Sequence, residues 1–499
     1  MLMDSWWTYL VKHNVIENED QLQKRQLVME LLRLLIPTLI NHVRLEYNIK
    51  KSNIHCQIAP FGSYGLGAHL ATGDIDVAFL SPSYVRRRDF FRIFTEILKK
   101  QATVRDILVI DHANVPIIKC TIDRIPVDIC FVRLRMESVP PDINVLDNSL
   151  LVGLDEPCMG SLAGTMDIGA RTHQFMVNQI DQEHRPAFQT AAQSIKWWSV
   201  QRCLYDKQIG YLNSGALIIL LLKTYMFERD AHHPIDSFHL IAAFFAQWST
   251  WPWPTPVLLT DYIPDYDGSP IEYQSLVEFE NAYMPIVTPC YRVTNAAPVV
   301  TKSTLRVLRR EFSRGCNITR ANFSTEEEMI KKLFKPFDLI KTYNNFLKVI
   351  FSSDTVATHE SWLRKIPDIL SRLVEFIEEV PEIREIQPYT KSYVRGTSYR
   401  NRYQKSALQL GQHLEKSKED SKRGSPLEPG LLHRTCYLIG LDVTPGEPNV
   451  NHVIDISRQV KMFQSVVDSK RNSKERDLVV NIVAVKRKEV ARFIKEHSV

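Results

Sequence analysis

The sequence predicts an α+β protein of several domains, and three observations carry that prediction. Between residues 58 and 132 the runs IAPFG, DIDVAFL, DILVID, VPIIKCTI and IPVDICFV are short and β-rich, and SYVRRRDFFRIFTEILKK among them is amphipathic and helical. A mixed sheet with helices on it follows from that alternation. From about 165 to 330 the pattern turns helical, and from about 335 onward helices and strands mix again. At 499 residues the chain exceeds one hydrophobic core, so two to four domains are expected.

The elements follow in order. Residues 5–45 have helical periodicity, with Leu27, Leu31, Leu34, Leu35 and Leu39 recurring at three- and four-residue spacing. After the β-rich block come QTAAQSIKWWSVQRCLY, LIILLLKTYMFERD, HLIAAFFAQWST and TKSTLRVLRREFSRG, all read as helices. The proline-rich WPWPTPVLL and residues 260–275 read as connecting loops. The last region contains a helix, IPDILSRLVEFIEEV, and the strands TCYLIGLDV and DLVVNIVAV. Its polar stretch 411–430, punctuated by proline and glycine, is expected to be a flexible loop.

Composition narrows the class. Apolar residues make up 44% and charged residues 24%, which is ordinary for a globular protein, and the net charge of +5 suggests a localised basic surface rather than a polycationic tail. The opening MLMDSWWTYLVKHN does not read as a secretory signal. The run Ala216 to Leu222 is too short to span a bilayer, so no membrane partner is expected. Eight cysteines are scattered without a C-x-x-C pair, which argues against structural zinc on thiolates and against a disulfide framework. An intracellular protein in a reducing compartment is expected.

The chemistry concentrates in FGSYGLGAHLATGDIDVAFL. Asp74 and Asp76 are two apart at the start of an apolar run, and on a strand they project to one face while Ile75 and Val77 enter the core. Two carboxylates so close repel unless a cation lies between them. Asp128 in IPVDICFV alternates in the same way with Val127 and Ile129. If its strand lies beside the first, three aspartates converge and can hold two magnesium ions about 4 Å apart, or manganese in their place. Gly62 and Ser63 then supply close backbone approach and a hydroxyl for the phosphates of a nucleotide. A lone D-x-D is most often a solvated or capping pair; the combination with Gly-Ser and a later strand aspartate is rare.

This block resembles the signature of the polymerase-β-like nucleotidyltransferases, and the surrounding residues resemble the eukaryotic nuclear poly(A) polymerases. The similarity runs collinearly through FGSY, DID, VRRRDFF, VPIIK, DIC, SIKWW, WPWPTPVLL, MPIVTPCY, STLRVLRREFSRG, YLIGL and VKRK. The resemblance implies three domains: a catalytic domain over 31–165, a helical central domain over 166–335 that recruits helices from 1–30, and an RRM-like RNA-binding domain over 336–499. It implies transfer of AMP from ATP to the 3′-hydroxyl of mRNA in the nucleus, with cleavage-and-polyadenylation factors as partners. Position by position, Asp74, Asp76 and Asp128 match the metal-binding triad, and Phe61, Gly62 and Ser63 match the phosphate-facing turn. Lys196 matches a lysine on the incoming nucleotide and Tyr205 a tyrosine near its phosphates. Without the resemblance, Lys196 reads as snorkelling from an apolar helix and Tyr205 as a packed core residue.

Departures from the family cluster in the nucleotide pocket. Lys207 stands where an asparagine is usual, Gly215 where a valine closes G-F-x-G-G-V, Ala187 and Gln193 where an asparagine and an arginine are usual, and Gly65 where FGSYRLG has arginine. A terminal transferase of relaxed or uridylyl specificity is the alternative reading, and a non-catalytic RNA-binding relative is another. On the RNA side, residues 389–405 interleave Tyr389, Tyr393, Tyr399 and Tyr403 with Lys391, Arg395, Arg400, Arg402 and Lys405. Such a stretch binds single-stranded RNA by phosphate contact and base stacking, or is a solvated basic loop. The triplet Lys486, Arg487, Lys488 coincides with a basic triplet of the family and reads as an RNA contact or a weak nuclear signal.

Overall fold

The computed structural model describes residues 4–51, 54–113, 115–164, 169–412, 429–444 and 454–497. Residues 413–428 of the expected loop lie outside them. The chain divides into two compact units. The first comprises Met1–Trp198, Leu212–Pro298 and Phe312–Phe334; the second comprises Ser199–Tyr211, Val299–Glu311 and Lys335–Val499.

In the first unit the β-rich runs form strands β1 (Gln57–Phe61), β2 (Ile75–Ser81), β3 (Val104–Ile110), β4 (Ile117–Ile122) and β5 (Ile125–Arg133), ordered β1-β2-β5-β4-β3. β2 and β5 are parallel and the other pairs antiparallel. A parallel pair needs a crossover, supplied here by the segment between them. Its helical turns bury Phe90 and Phe94 against Phe79 and Phe131, at ring separations of 4.9 to 5.6 Å. The crossover is thereby fixed by the same aromatic core that backs the site.

The N-terminal periodicity is helical. Helix Glu19–Glu46 packs into the sheet core through Val28, Met29, Leu32, Leu35, Ile36, Leu39, Ile40 and Val43. Leu27 and Leu34 instead face solvent, at 54% and 73% exposure. The valine, isoleucine and methionine positions complete a wider apolar stripe than the leucines alone reveal. This helix is continuous through residue 30. The shorter helix Ser5–Lys12 packs elsewhere in the unit, with the Trp6 ring against Phe238 and Phe334 and its indole N–H donating to Glu326. The helical region folds around Trp198, whose ring meets Phe245 and Phe312. Gly315 lies so close to Phe245 that a Cβ there would come within 2.3 Å of the ring.

The second unit carries β6 (Asn345–Ser353), β7 (Ile383–Tyr399), β8 (Gly430–Val443) and β9 (Val479–Lys486), antiparallel in the order β7-β8-β6-β9. Helix Val356–Glu378 packs on this sheet and buries Trp362, Ile366, Leu370 and Leu373. Residues 389–405 are not a loop: the first part completes edge strand β7, and Arg402–Gln409 is a helix capped by Asn401. The alternating tyrosines and basic residues have period two, which is a strand pattern.

Candidate active site

Asp74 immediately precedes β2 and Asp76 is its second residue; Asp128 is in β5. Asp76 and Asp128 are register partners in the parallel pair, so their side chains leave the same face at adjacent strands. Ile75, Val77, Val127 and Ile129 beside them are fully buried on the opposite face. Carboxylate oxygens of the three aspartates all lie within 4.8 Å of one another. Burial pushes the Asp128 carboxyl up, Lys119 opposes that shift, and the Asp74 charge adds to it. Lys119 is the register partner of Asp128 on β4 and its ammonium contacts Asp128 Oδ2. Three clustered carboxylates outnumber the ammonium groups of Lys119 and Lys196 near them, so net negative charge remains, and an all-oxygen donor set of this kind suits hard divalent cations such as magnesium or manganese. The residues therefore fit the metal pair expected from the sequence.

The turn after β1 faces this cluster. Phe61 pairs with Asp76, and the chain then enters the single turn Gly62–Gly65. Gly62 has φ +62°, and a Cβ there would come within 2.7 Å of Asp76 Oδ2. Only glycine lets the backbone pass so close to that carboxylate in this conformation. Ser63 is buried within the turn. Helix Ser214–Asp230 packs against the same turn; Asn213 caps it by accepting from the Ala216 N–H at 2.9 Å, and Gly215 lies in its first turn.

The loop joining this turn to Asp74 is held by side chains from two helices. Arg25, 1% exposed, donates to the Gly73 carbonyl at 2.7 Å and to Glu17 at 2.7 Å, and Glu17 also meets His69 at 3.3 Å. Gln189 donates to the Leu66 carbonyl, and Gln193 to the carbonyls of Gly67 and His69. Gln193, which departs from the family pattern, thus has a clear local role. At Gly65, where the family has arginine, a Cβ would lie 2.7 Å from the His173 ring. His173 fills that space; burial lowers its pKa to about 4 and keeps it neutral.

Lys196, 9% exposed, is buried rather than snorkelling. Burial lowers its pKa, while the charges of Asp74 and Asp76 act to raise it, which places it within their electrostatic reach. Tyr205 and Lys207 belong to the second unit, Lys207 opening a short turn capped by Asp206. In that unit the predicted basic residues have divergent surroundings. Arg395, Arg400 and Arg402 are exposed, as are Lys486, Arg487 and Lys488, although Arg487 donates to the Tyr343 carbonyl. Tyr393 stacks edge-on against Phe493. Tyr399 is buried in a small cluster with Leu408 and Leu432, so its ring packs internally instead of facing solvent.

Three groups escaped the sequence reading. Lys119 is legible only as a strand partner of Asp128, and nothing local marks Arg25. The third is a cavity of about 180 Å³ in the second unit, lined among others by Lys348, Arg395, Thr397, Arg434 and Phe493. Arg395 and Arg434 are direct cross-strand partners. Like charges so placed are unfavourable unless an anion joins them. A lysine inside the apolar run FLKVIF was the available signal.

Three family models match in collinear order: the poly(A) polymerase nucleotidyltransferase domain over residues 2–166, the poly(A) polymerase central domain over 187–336, and the poly(A) polymerase predicted RNA binding domain over 338–499. A poly(A) polymerase of Dictyostelium discoideum is 24% identical over 98% of this chain and 56% of its own length. Poly(A) polymerase PAPa of Candida albicans is 28% identical over 79% of this chain and 70% of its own length. The chain thus spans little more than half of the Dictyostelium relative. A solved structure of Cid1, an RNA terminal uridylyl transferase, aligns with a TM-score of 0.43 at 16% identity, covering 66% of this chain and 98% of that one. With its three domain models in order along nearly the whole chain, this protein belongs to the poly(A) polymerase family.

Proposed function

We propose that this protein is a polynucleotide adenylyltransferase that extends RNA 3′ ends with AMP from ATP and releases pyrophosphate. The observation that carries the reading is the convergence of Asp74, Asp76 and Asp128 beside the Gly62–Ser63 turn. The three aspartates would hold the divalent cations. When bound, two such ions lower the pKa of the attacking hydroxyl and neutralise the triphosphate with its leaving pyrophosphate. The chain's own contribution is positioning. Gly62 lets backbone approach the phosphates, Ser63 offers a hydroxyl, and Lys196 is a buried point charge whose desolvation a triphosphate would offset. Phe61 leads into the same turn, and Gly215 lies in the first turn of the helix packed against it. The RNA 3′-oxygen attacks the α-phosphorus, the bond to the β-phosphate bridging oxygen breaks, and the hydroxyl proton passes to solvent.

RNA is assigned to the second unit. The cavity lined by Lys348, Arg395 and Arg434 suits a backbone phosphate, and Arg400, Arg402, Lys486 and Lys488 are further exposed cations of the same unit, with Tyr393 available to a base. The exposed Lys486 and Lys488 also support a nuclear address, with RNA-processing factors as partners.

A second reading, relaxed or uridylyl specificity, is favoured by one observation: Gly65 with His173 packed on it replaces a family arginine beside the phosphate turn. Extension of an oligoadenylate primer with each of the four nucleotides separately, in magnesium, tests both. ATP-dependent elongation is expected. Equal or better use of UTP removes the adenylyl assignment, and no elongation with any nucleotide removes transfer altogether.

A further inference from the structure

We propose that Glu228, His233 and His239 form a second metal centre, separate from the aspartate triad and selective for a zinc-class transition metal. Glu228 lies in the last turn of helix Ser214–Asp230, His233 in the connection that follows, and His239 in the first turn of helix Ser237–Thr250. His233 Nδ1 and His239 Nε2 each lie 2.6 Å from the same oxygen, Glu228 Oε2. One donor atom from each residue falls within 4.8 Å of the others.

The backbone prepares this convergence. The His233 N–H donates to the Glu228 carbonyl at 3.0 Å, which folds the connection back over the end of its helix. Pro234 restricts the backbone of His233 before it. Asp236 caps the next helix by accepting from the His239 N–H at 2.7 Å, and Ser237 donates to Asp4 at 2.5 Å. All three donors come from one short stretch, so closing the chelate orders little additional chain.

Donor chemistry selects the ion. Two imidazoles with one carboxylate suit zinc, whereas the all-oxygen triad suits magnesium. Donors around a tetrahedral zinc stand roughly 3.3 to 3.5 Å apart, so accommodating the ion requires the 2.6 Å contacts to spread by less than an ångström. Three protein donors leave a fourth position for water, and the bound ion would clip two helices of the first unit together.

The test uses the full chain, stripped with chelator and equilibrated with zinc in excess magnesium so that the oxygen-only triad is occupied. Bound zinc is measured by plasma mass spectrometry in wild type, in Glu228→Gln and in the His233→Ala/His239→Ala double variant. Wild type is expected to retain about one zinc per chain more than either variant. It should also show a zinc-dependent rise in Tm that both variants lose. Cobalt in place of zinc should give visible ligand-field absorption that Glu228→Gln shifts. Equal zinc content and equal zinc-dependent Tm in wild type and Glu228→Gln would overturn the proposal. Glu228→Gln preserves shape, so it decides the matter even if the double variant fails to fold.

Discussion

In the five-stranded sheet, three carboxylates meet over the paired strands β2 and β5; in the four-stranded sheet, Lys348, Arg395 and Arg434 line one cavity. Both clusters are backed by apolar strands, and both are electrostatically incomplete. Lys119 offsets only part of the acidic charge, and Arg395 faces Arg434 directly across the ladder. The difference lies in how each cluster is held. Asp74 and Asp76 sit where a loop enters a strand, and that loop is fixed by the buried Arg25 and Glu17 and the half-buried Gln189 and Gln193. The bases sit within strands, held by the ladder and by bonds from Lys348 to the Gly411 carbonyl and from Arg434 to the Leu408 carbonyl and the Thr397 hydroxyl, while Arg395 is exposed. Chemistry needs the first arrangement because reacting groups must keep their positions; backbone gripping of a polyanion tolerates the second.

The largest stability effect is expected from Arg25→Ala. It leaves Glu17 without its guanidinium, and the carbonyls of Ala71 and Gly73 without their donor, in a buried site. A loss of about 3–5 kcal/mol is predicted in urea unfolding. A loss below about 1 kcal/mol would erase the contrast, because the acidic loop would then need no frame.

Acid should distinguish the two units next. His173 in the first unit has its folded pKa depressed to about 4 by burial. The unfolded state therefore binds the extra proton between about pH 6.5 and 4. Stability from this group is present above that window and is lost as pH falls through it, by up to about 3 kcal/mol. In the second unit, burial pushes the Glu475 carboxyl up, but bonds from Lys365, Ser361 and the Asn472 N–H more than reverse this and lower it to about 2. Its contribution is present above about pH 4.5 and is lost between there and about 2. The first unit should thus lose stability at milder acidity, and His173→Gln should flatten its profile between pH 6.5 and 4. Thermal melts across pH, in wild type and variant, check this.

Gly62→Ala probes the close approach itself. The left-handed conformation costs an alanine about 1–2 kcal/mol, and its Cβ would displace the Asp76 carboxylate. Extension should therefore fall by more than the Tm shift accounts for. The smallest effect is expected from Arg395→Ala and Arg434→Ala. Each should weaken RNA binding by roughly tenfold and reduce the salt slope by about 1, with kcat at saturating RNA unchanged. A change in kcat would mean that the basic cluster is not merely a grip.

The contrast also explains what could be read from the sequence. Asp74, Asp76 and Asp128 were legible because strand alternation puts them on one face and apolar neighbours on the other. The pairing of β2 with β5 is a tertiary fact that alternation only suggests. Lys119 was not legible, since its meaning depends on the register of β4 against β5. Leucine spacing marks the N-terminal helix but not its buried face, since Leu27 and Leu34 face solvent while valines, isoleucines and a methionine complete the true stripe. Tyr399 misled because an interleaved basic and aromatic stretch does not reveal which rings a neighbouring helix will cover.

The most direct measurement is primer extension by Asp128→Ala alongside RNA binding by the same protein. If the carboxylate trio drives the transfer, elongation falls at least about 10³-fold while RNA affinity and thermal stability stay near those of the wild type. Elongation within a few-fold of wild type would show that the reaction runs without the third aspartate.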